Sequence, residues 1–455
     1  MGRDEIGAEG LAAAIGLPSA VMLVVGGIVG VGVFVNPAIV ARSVHSPAEL
    51  LAAWGAGGVI ALLGAFVYAE LAARIPHTGG DYAYLRETYG PLPAFLNGWT
   101  LLLVVQTGGM AAVTIAFAKY LDVLLGGGVP QSLIVVLSLA ALAGVNVLGV
   151  GAGNGVQGVL GAIKIAMIVA LVLAGVLLVA PAREPPTSVV HGGPVAGLKA
   201  FGAAMIPVVF SYGGWQTANF VAGEMKDPRR DLARALVVGV LIVIACYLAV
   251  SWACLRALGL SGLARTLTPT ADVLGLAIGP AGARVAAALV ALSALGYLSQ
   301  SMLTAPRVYF AMARDGLFLR RVGQVSEQTR APALAILLQA IWAGVLALSG
   351  EYDRILGYTV SMNFLFFGLS GSALFVLRAR ERRPGATPAP AGFRAPGHPW
   401  TTGAFVLACA LVVGSTFWSY RRESLMGYGL LLLGLPPYIY WRRKARRETE
   451  LNGKA

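Results

Sequence analysis

Long apolar runs alternate with short polar segments along most of the chain. A run of about 20 apolar residues crosses a hydrocarbon core about 30 Å thick as one α-helix. The pattern therefore predicts an all-α integral membrane protein with twelve transmembrane helices. The predicted spans are residues 17–42, 50–72, 92–120, 131–149, 157–180, 198–222, 232–257, 281–312, 332–349, 354–377, 400–420 and 425–441.

Glycines interrupt two of these spans, the first and the sixth. The first contains the stretch 25–34, with four glycines, and the sixth contains Gly213 and Gly214. Unwinding a helix inside a bilayer exposes backbone groups that lipid cannot satisfy, at a cost of several kcal/mol each. A matching pair of such breaks in two halves of a chain is typical of the binding site of a secondary transporter.

The sixth span is five crossings after the first, so the two interrupted spans run in opposite directions. This is the arrangement of a 5+5 inverted repeat with discontinuous helices 1 and 6, followed by two extra C-terminal helices. The predicted organisation is an N-terminal cytoplasmic segment (1–16), repeat 1 (17–180), repeat 2 (198–377), a cytoplasmic linker (378–399), spans 11 and 12 (400–441) and a basic cytoplasmic tail (442–455).

Composition and charge agree with a membrane protein. The chain is 57% hydrophobic and 12% charged, and its mean hydropathy is +0.75. The net charge of +13 would suit a nucleic-acid partner, but most Lys and Arg residues fall on the side of the N-terminus. This bias predicts that both termini are cytoplasmic in an inner (cytoplasmic) membrane. We expect the basic cytoplasmic segments, above all 442–447, to contact anionic lipid headgroups and no nucleic acid.

The sequence shows no equipment for catalysis or cofactor binding. All four histidines lie between spans, and no GxSxG, HExxH or Walker motif is present. The three cysteines lie inside predicted spans without a CxxC pair, so we expect small buried side chains and no disulfide framework. The chain is therefore not expected to be an enzyme, and no metal or cofactor is expected.

Helix polarity predicts what the two breaks bind. The first span resumes with free N–H groups at residues 30–32, and these suit a carboxylate. The outer half of the sixth span ends at Phe210 and Ser211, whose carbonyl groups, with that of Ile28, suit an ammonium group. Together the breaks predict a site for a zwitterion with adjacent carboxylate and amine groups.

Close helix packing is the alternative explanation for the glycines, and for Gly26 and Gly30 alone it is about as good. The neighbouring Tyr212 and Trp215 favour a ligand site, because such side chains at mid-depth need polar partners or a ligand. Both are therefore predicted to be among the substrate-binding residues.

Lys164 is a basic residue within a predicted span, about seven residues into the fifth. Its ammonium group either snorkels to the cytoplasmic interface or is buried against carbonyl groups of the first span. In the second case it holds the place of a coupling sodium ion or carries a transported proton. Glu70 and Glu224, at cytoplasmic span ends, are expected to form structural ion pairs, Glu70 near Arg74 and Glu224 near 226–230.

The chain resembles the amino acid–polyamine–organocation superfamily, in its L-type amino acid transporter and bacterial exchanger branch. The resemblance covers spans 1 to 10. It rests on Gly26-Gly27-Ile28-Val29-Gly30-Val31-Gly32-Val33-Phe34, Asn36-Pro37, Ile75-Pro76, Gly79-Gly80-Asp81-Tyr82-Ala83-Tyr84, Phe210-Ser211-Tyr212-Gly213-Gly214-Trp215, Asn219-Phe220, Glu224, Arg307 and Arg314-Asp315-Gly316.

The resemblance implies an inverted-repeat fold with alternating access and a substrate site at the two breaks. It places the substrate carboxylate at the amides of Gly30, Val31 and Gly32. It also implies that Phe210 is a candidate outer gate and that Lys164 matches a lysine of sodium-independent members. The amine would contact the carbonyl groups of Ile28, Phe210, Ser211 and Gly213.

Two positions depart from the family pattern. Gly27 replaces a usual Ser or Thr and Val31 replaces a frequent Ser, so hydroxyl groups that would contact the carboxylate are missing. The outer loop 121–130 has no cysteine, so a disulfide-linked heavy chain is not expected.

The sequence thus predicts a sodium-independent secondary transporter of neutral L-amino acids. A proton-coupled symporter and a polyamine or cationic amino acid permease are the alternatives within this class, and a channel or an amino acid receptor lies outside it.

Overall fold

The computed structural model describes residues 15–148, 150–182, 194–326, 329, 331–349, 352–384 and 392–452. The regular secondary structure of this part of the chain is helical apart from one isolated β-bridge, and turns and irregular segments connect the helices. The α-helices are α1 (Leu17–Ile28), α2 (Gly32–Ala41), α3 (Pro47–Arg74), α4 (Asp81–Tyr89), α5 (Pro91–Thr100), α6 (Gln106–Leu124), α7 (Gln131–Val147), α8 (Val150–Leu177), α9 (Pro194–Tyr212), α10 (Ala233–Arg265), α11 (Pro269–Ile278), α12 (Ala281–Thr304), α13 (Pro306–Arg314), α14 (Ala333–Ser349), α15 (Tyr352–Glu381), α16 (Trp400–Ser419), α17 (Arg421–Leu432) and α18 (Leu435–Asn452). Leu101–Val105 and Pro228–Leu232 form π-helical segments, and Trp215–Glu224 and Arg320–Gly323 form 3₁₀ segments.

Eight stretches of the described chain are long and apolar enough to cross a membrane. They are Leu17–Ala41, Pro47–Arg74, Pro91–Asp122, Val159–Leu177, Pro228–Arg265, Ala281–Arg314, Tyr358–Glu381 and Trp400–Ser419, and shorter apolar helices lie at Gln131–Val147, Pro269–Ile278 and Ala333–Ser349. The all-α membrane architecture predicted from hydrophobicity is therefore present.

The last predicted span, 425–441, is not one helix. It is divided between α17 and α18, and the junction lies at Leu433 and Gly434. Pro436 and Pro437 follow at once, and proline is tolerated in the first turn of a helix but not in its interior. A new helix therefore begins at Leu435, and it continues into the segment predicted to be the basic tail.

The interrupted helix pair α1 and α2 lies at the centre of the bundle. α1 contacts α8, α10 and α12, and α2 contacts α9 and α10. α9, the outer half of the second interrupted span, also contacts α3 and α16. Both breaks are therefore surrounded by protein, which is the condition for irregular backbone at membrane depth.

A short segment before α1 is fixed to the end of the second interrupted span. The backbone N–H of Ile15 donates to the carbonyl of Glu224 (3.0 Å), and the N–H of Lys226 donates to the carbonyl of Ile15 (3.0 Å). These two bonds form the bridge between Ile15 and Met225. The segment that leads into α1 thus lies against the end of Trp215–Glu224.

Candidate functional site

The first break leaves three backbone amides without an acceptor. α1 ends at Ile28 and α2 begins at Gly32, and residues 23–34 are all buried. Within the described chain, no acceptor contacts the N–H groups of Gly30, Val31 and Gly32. Because these groups stand at the start of α2, the positive end of its dipole adds to them. The arrangement suits an anionic group.

The carbonyl groups of the same break, in contrast, are supplied with donors. Lys164 on α8 donates to Val29 (2.5 Å) and Gly26 (3.2 Å), and Ser293 on α12 donates to Gly30 (3.0 Å). Donors from other helices thus satisfy carbonyl groups that the break leaves without a helical partner, whereas the N–H groups of residues 30–32 remain without an acceptor. This asymmetry favours a ligand that accepts hydrogen bonds.

Lys164 is buried, with none of its side chain exposed, so it does not snorkel to the interface. Its ammonium group lies against Gly296 of α12, where an added Cβ would come within 2.4 Å of the lysine Cε. The absence of a side chain at this position makes room for the lysine beside the first break.

The second break brings its backbone into direct contact with the first. α9 ends at Tyr212, and Gly214 has a φ of 111°, which favours glycine. A Cβ at Gly214 would lie 2.0 Å from the carbonyl oxygen of Gly27. A Cβ at Gly27 would in turn lie 2.8 Å from the carbonyl oxygen of Gly214 and 2.9 Å from the Thr217 hydroxyl. The departure from Ser or Thr at residue 27 therefore accompanies a backbone contact that leaves no room for a side chain.

Tyr247 on α10 joins the two breaks, and the sequence did not reveal this role. Its hydroxyl group lies 3.0 Å from the carbonyl oxygen of Ile28 and 3.1 Å from that of Ser211. The carbonyl of Phe210 accepts from the N–H of Gly213 (3.1 Å), and within the described chain no donor contacts the carbonyl of Gly213. A carbonyl oxygen accepts two hydrogen bonds, so all four predicted amine acceptors retain capacity.

A cavity of about 50 Å³ lies at the two breaks. It is bounded by seven of the nine residues predicted to bind substrate, which are Ile28, Gly30, Val31, Gly32, Phe210, Ser211 and Gly213. Within the described chain no Asp, Glu, Lys or Arg lines it. Its polar side chains are neutral, and four of them come from helices outside the two interrupted spans, namely Gln106, Tyr297, Thr359 and Asn363.

The structure does not bring Tyr212 and Trp215 to this cavity. They line a separate space of about 10 Å³ between α3, α15 and α16. The Trp215 ring lies 4.7 Å from that of Tyr68, and the Tyr212 ring lies 5.9 Å from that of Trp54. Edge-to-face contacts between buried rings stabilise this orientation, and the rings pack against α3 rather than towards the cavity.

The two carboxylates that were expected to form ion pairs, those of Glu70 and Glu224, are buried and do so. Glu70 pairs with Arg74 (2.5 Å) and with Arg378 of α15 (2.6 Å). Glu224 pairs with Arg307 of α13 (2.7 Å) rather than with the basic residues at 226–230 that sequence proximity indicated.

A third buried carboxylate, Asp81, begins α4, outside the membrane-spanning helices. It accepts a hydrogen bond from the Tyr68 hydroxyl group. Burial raises the pKa of Asp81 to about 6, although the hydrogen bond from Tyr68 acts in the opposite direction. At a given pH the neutral carboxyl is therefore more populated than in an exposed aspartate, although the ionised form still predominates at pH 7.

Comparisons with known proteins show that the chain is similar to amino acid transporters. The family model for amino acid permeases matches residues 15–430. The chain is 30% identical to the serine/threonine exchanger SteT of Bacillus subtilis (strain 168) over 451 residues, which are 97% of this chain and 99% of that protein. It is 30% identical to human b(0,+)-type amino acid transporter 1 over 369 residues (80% and 76%). It is 28% identical to human large neutral amino acids transporter small subunit 2 over 449 residues (95% and 81%).

Proposed function

Since the chain belongs to the amino acid permease family, we propose that it carries neutral L-amino acids across the cytoplasmic membrane by alternating access, without sodium. It is a multi-pass membrane transporter and not an enzyme. We further propose that residues 17–180 and 198–377 are the two inverted repeats, and that spans 11 and 12 (400–441) follow them outside the repeats. Both termini would be cytoplasmic, and the basic cytoplasmic segments would face anionic headgroups.

The proposal rests on the backbone N–H groups of residues 30–32, which have no acceptor within the described chain. An amino acid carboxylate would accept from these N–H groups, while its ammonium group would donate to carbonyls that retain capacity, such as that of Gly213. The absence of charged side chains from the described cavity wall favours a neutral substrate over a cationic amino acid or a polyamine.

Lys164 supports independence from sodium. Its ammonium group already donates to the carbonyl groups of Gly26 and Val29, which are the ligand type that a sodium ion would need. Exchange is supported by the likeness to SteT, which is named as an exchanger. Proton symport is the second candidate, because a buried lysine amine is a group that can bind and release a proton.

Uptake by proteoliposomes containing the purified protein tests the proposal. We expect labelled alanine to enter vesicles preloaded with unlabelled alanine, with potassium replacing all sodium. Lactate, which lacks the amine, and alanine methyl ester, which lacks the carboxylate, should not compete. Failure of every neutral amino acid to enter or to compete would contradict the proposal.

The same vesicles separate exchange from proton symport. Exchange predicts that empty vesicles take up nothing, whatever the pH gradient. Symport predicts uptake into empty vesicles when the outside is acidic, and loss of this component in Lys164→Met, where a side chain of similar length has no proton to give.

A further inference from the structure

Gln106 carries a buried side-chain amide without a hydrogen-bond partner among the residues that the structure describes. The residue is 4% exposed and lines the cavity at the two breaks. Within the described chain its side-chain amide makes no hydrogen bond. Nearly all buried polar side chains are hydrogen-bonded. The amide therefore has hydrogen-bonding capacity available to a polar group bound in this cavity.

The local backbone explains why Gln106 faces the cavity. The π-helical segment Leu101–Val105 ends immediately before it, and the N–H of Gln106 donates to the carbonyl of Leu101, five residues earlier. The Thr107 hydroxyl bonds the carbonyl of Leu102 (2.6 Å), also five residues earlier. A π-helical turn adds a residue and rotates the helix face that follows, and such turns are frequent at functional sites.

A second helix contributes two more polar groups to the same cavity. Thr359 and Asn363 are four residues apart on α15, so they share one helix face. Within the described chain the amide of Asn363 has no hydrogen-bond partner, and a Cβ at Gly213 would lie 4.0 Å from its nitrogen. The Thr359 hydroxyl lies 3.4 Å from the carbonyl of Val104, which is a long contact. We call Gln106, Thr359 and Asn363 the polar wall.

Two polar side chains of the second break, in contrast, are engaged within the protein. The Gln216 side-chain oxygen accepts from the N–H of Gly214 (3.0 Å). The Thr217 hydroxyl donates to the carbonyl of Gly214 (2.6 Å) and accepts from Gln300 (2.5 Å). These groups have used hydrogen-bonding capacity that the amides of the polar wall retain.

We propose that the polar wall is a subsite for a substrate side chain that carries a hydroxyl or carboxamide group, so that serine, threonine and asparagine are preferred over apolar amino acids of the same shape. This rests on the proposed function, because the two breaks would hold the carboxylate and amine. The cavity of about 50 Å³ has room for about three to five water molecules. That volume is smaller than any of these amino acids, so binding requires the site to widen, and a small side chain requires less widening than an aromatic one.

Threonine and valine provide the direct test, because they have the same shape and differ in a hydroxyl group. In competition for alanine exchange, we expect threonine to be at least about tenfold more effective than valine, because binding valine leaves buried polar groups unpaired. In purified wild-type protein, threonine should raise the unfolding temperature more than valine at equal concentration.

Two variants locate the preference. Gln106→Leu and Asn363→Leu should each bring the ratio of threonine to valine inhibition towards one, and likewise the ratio of the rises in unfolding temperature, which can be read whatever rate of alanine exchange each variant retains. Gln339→Leu is the matched control, since Gln339 is buried, bonded to the carbonyl of Ser301 and absent from the cavity wall. It should keep the wild-type ratio even if the rate falls.

The outcomes separate this inference from the proposed function. Equal inhibition and equal stabilisation by threonine and valine in the wild type would overturn the inference and leave neutral amino acid transport intact. A ratio unchanged in both Gln106→Leu and Asn363→Leu would also overturn it. If no amino acid is exchanged or bound, the proposed function and the inference fail together.

Discussion

Replacing Tyr247 with phenylalanine removes one oxygen atom from the contact between the two breaks. The hydroxyl group donates its single proton to a position shared by the carbonyls of Ile28 and Ser211, at 3.0 and 3.1 Å. The ring itself is retained, and it packs 5.6 Å from the Trp54 ring and 5.0 Å from the Tyr212 ring. Tyr247→Phe therefore changes the hydrogen bonding and leaves the packing in place.

The structure sets the size of the expected effect. A typical protein hydrogen bond contributes about 0.5–1.5 kcal/mol to stability, and a buried group left without a partner costs about 1–3 kcal/mol. Ile28 and Ser211 are each 3% exposed, so their carbonyl groups have little access to water. We expect the free energy of unfolding to fall by about 1–3 kcal/mol, the range for one shared donor and two buried acceptors.

Equilibrium unfolding in detergent micelles measures this difference, and Tyr309→Phe is the matched control. Tyr309 is also buried, at 1% exposure, but within the described chain its hydroxyl group has no hydrogen-bond partner. Removing that hydroxyl should leave stability unchanged or raise it slightly. Alanine exchange in proteoliposomes should slow in Tyr247→Phe and stay at the wild-type rate in Tyr309→Phe.

Equal stability of Tyr247→Phe and the wild type would refute this reasoning, because it would mean that the hydroxyl group does not hold the two carbonyls. Equal losses in both tyrosine variants would refute it as well, since the effect would then be one of buried hydroxyl groups in general.

Three further changes test other parts of the structure. Gly214→Ala should greatly reduce the yield of folded protein, because φ is 111° and the new Cβ would overlap the backbone of the first break. Gly55→Ala is the control, since an added Cβ there meets no atom within 4 Å, and it should be neutral or stabilising. Size-exclusion chromatography measures the folded yield of both variants. Glu224→Gln should lower the free energy of unfolding by about 3–5 kcal/mol, because Arg307 then stays buried without its counter-charge. The double variant that also carries Arg307→Gln should recover part of this loss. Burial raises the pKa of Asp81 from 3.8 to about 6. The contribution of its protonation to stability is therefore complete below pH 3.8 and is lost as the pH rises through 6. The difference in unfolding temperature between the wild type and Asp81→Asn should change between about pH 4 and pH 7 and be constant above pH 7.

Features that depend on local sequence could be predicted. The glycine clusters at 26–32 and 213–214 coincide with the two interruptions, although glycines alone do not break a helix, since Gly57 and Gly108 lie inside continuous helices. Lys164 was visible because one charge in an apolar span needs a partner, and the partner carbonyls are those of the first break.

Features that depend on contacts between distant helices could not be predicted. Tyr247 lies in an unremarkable apolar run, and its two acceptors arrive from α1 and α9. Gln106 faces the cavity because of a π-helical turn that the apolar residues before it do not signal. The partner of Glu224 is 83 residues away, whereas its sequence neighbours 226–230 offered more obvious candidates.

The orientation of an aromatic side chain beside a break is a related case. The sequence placed Trp215 near the break but could not give the rotation of the backbone after Gly214. That rotation directs the indole towards Tyr68 and Phe367.

The bridge between Ile15 and Met225 gives the molecule a mechanical coupling. The chain that enters α1 and the chain that leaves the second interrupted span are joined by two backbone hydrogen bonds. Movement of either end therefore has to carry the other end along or break both bonds. An opening of the site at this end would involve both halves together through backbone bonds alone, independent of the side chains at residues 15 and 225.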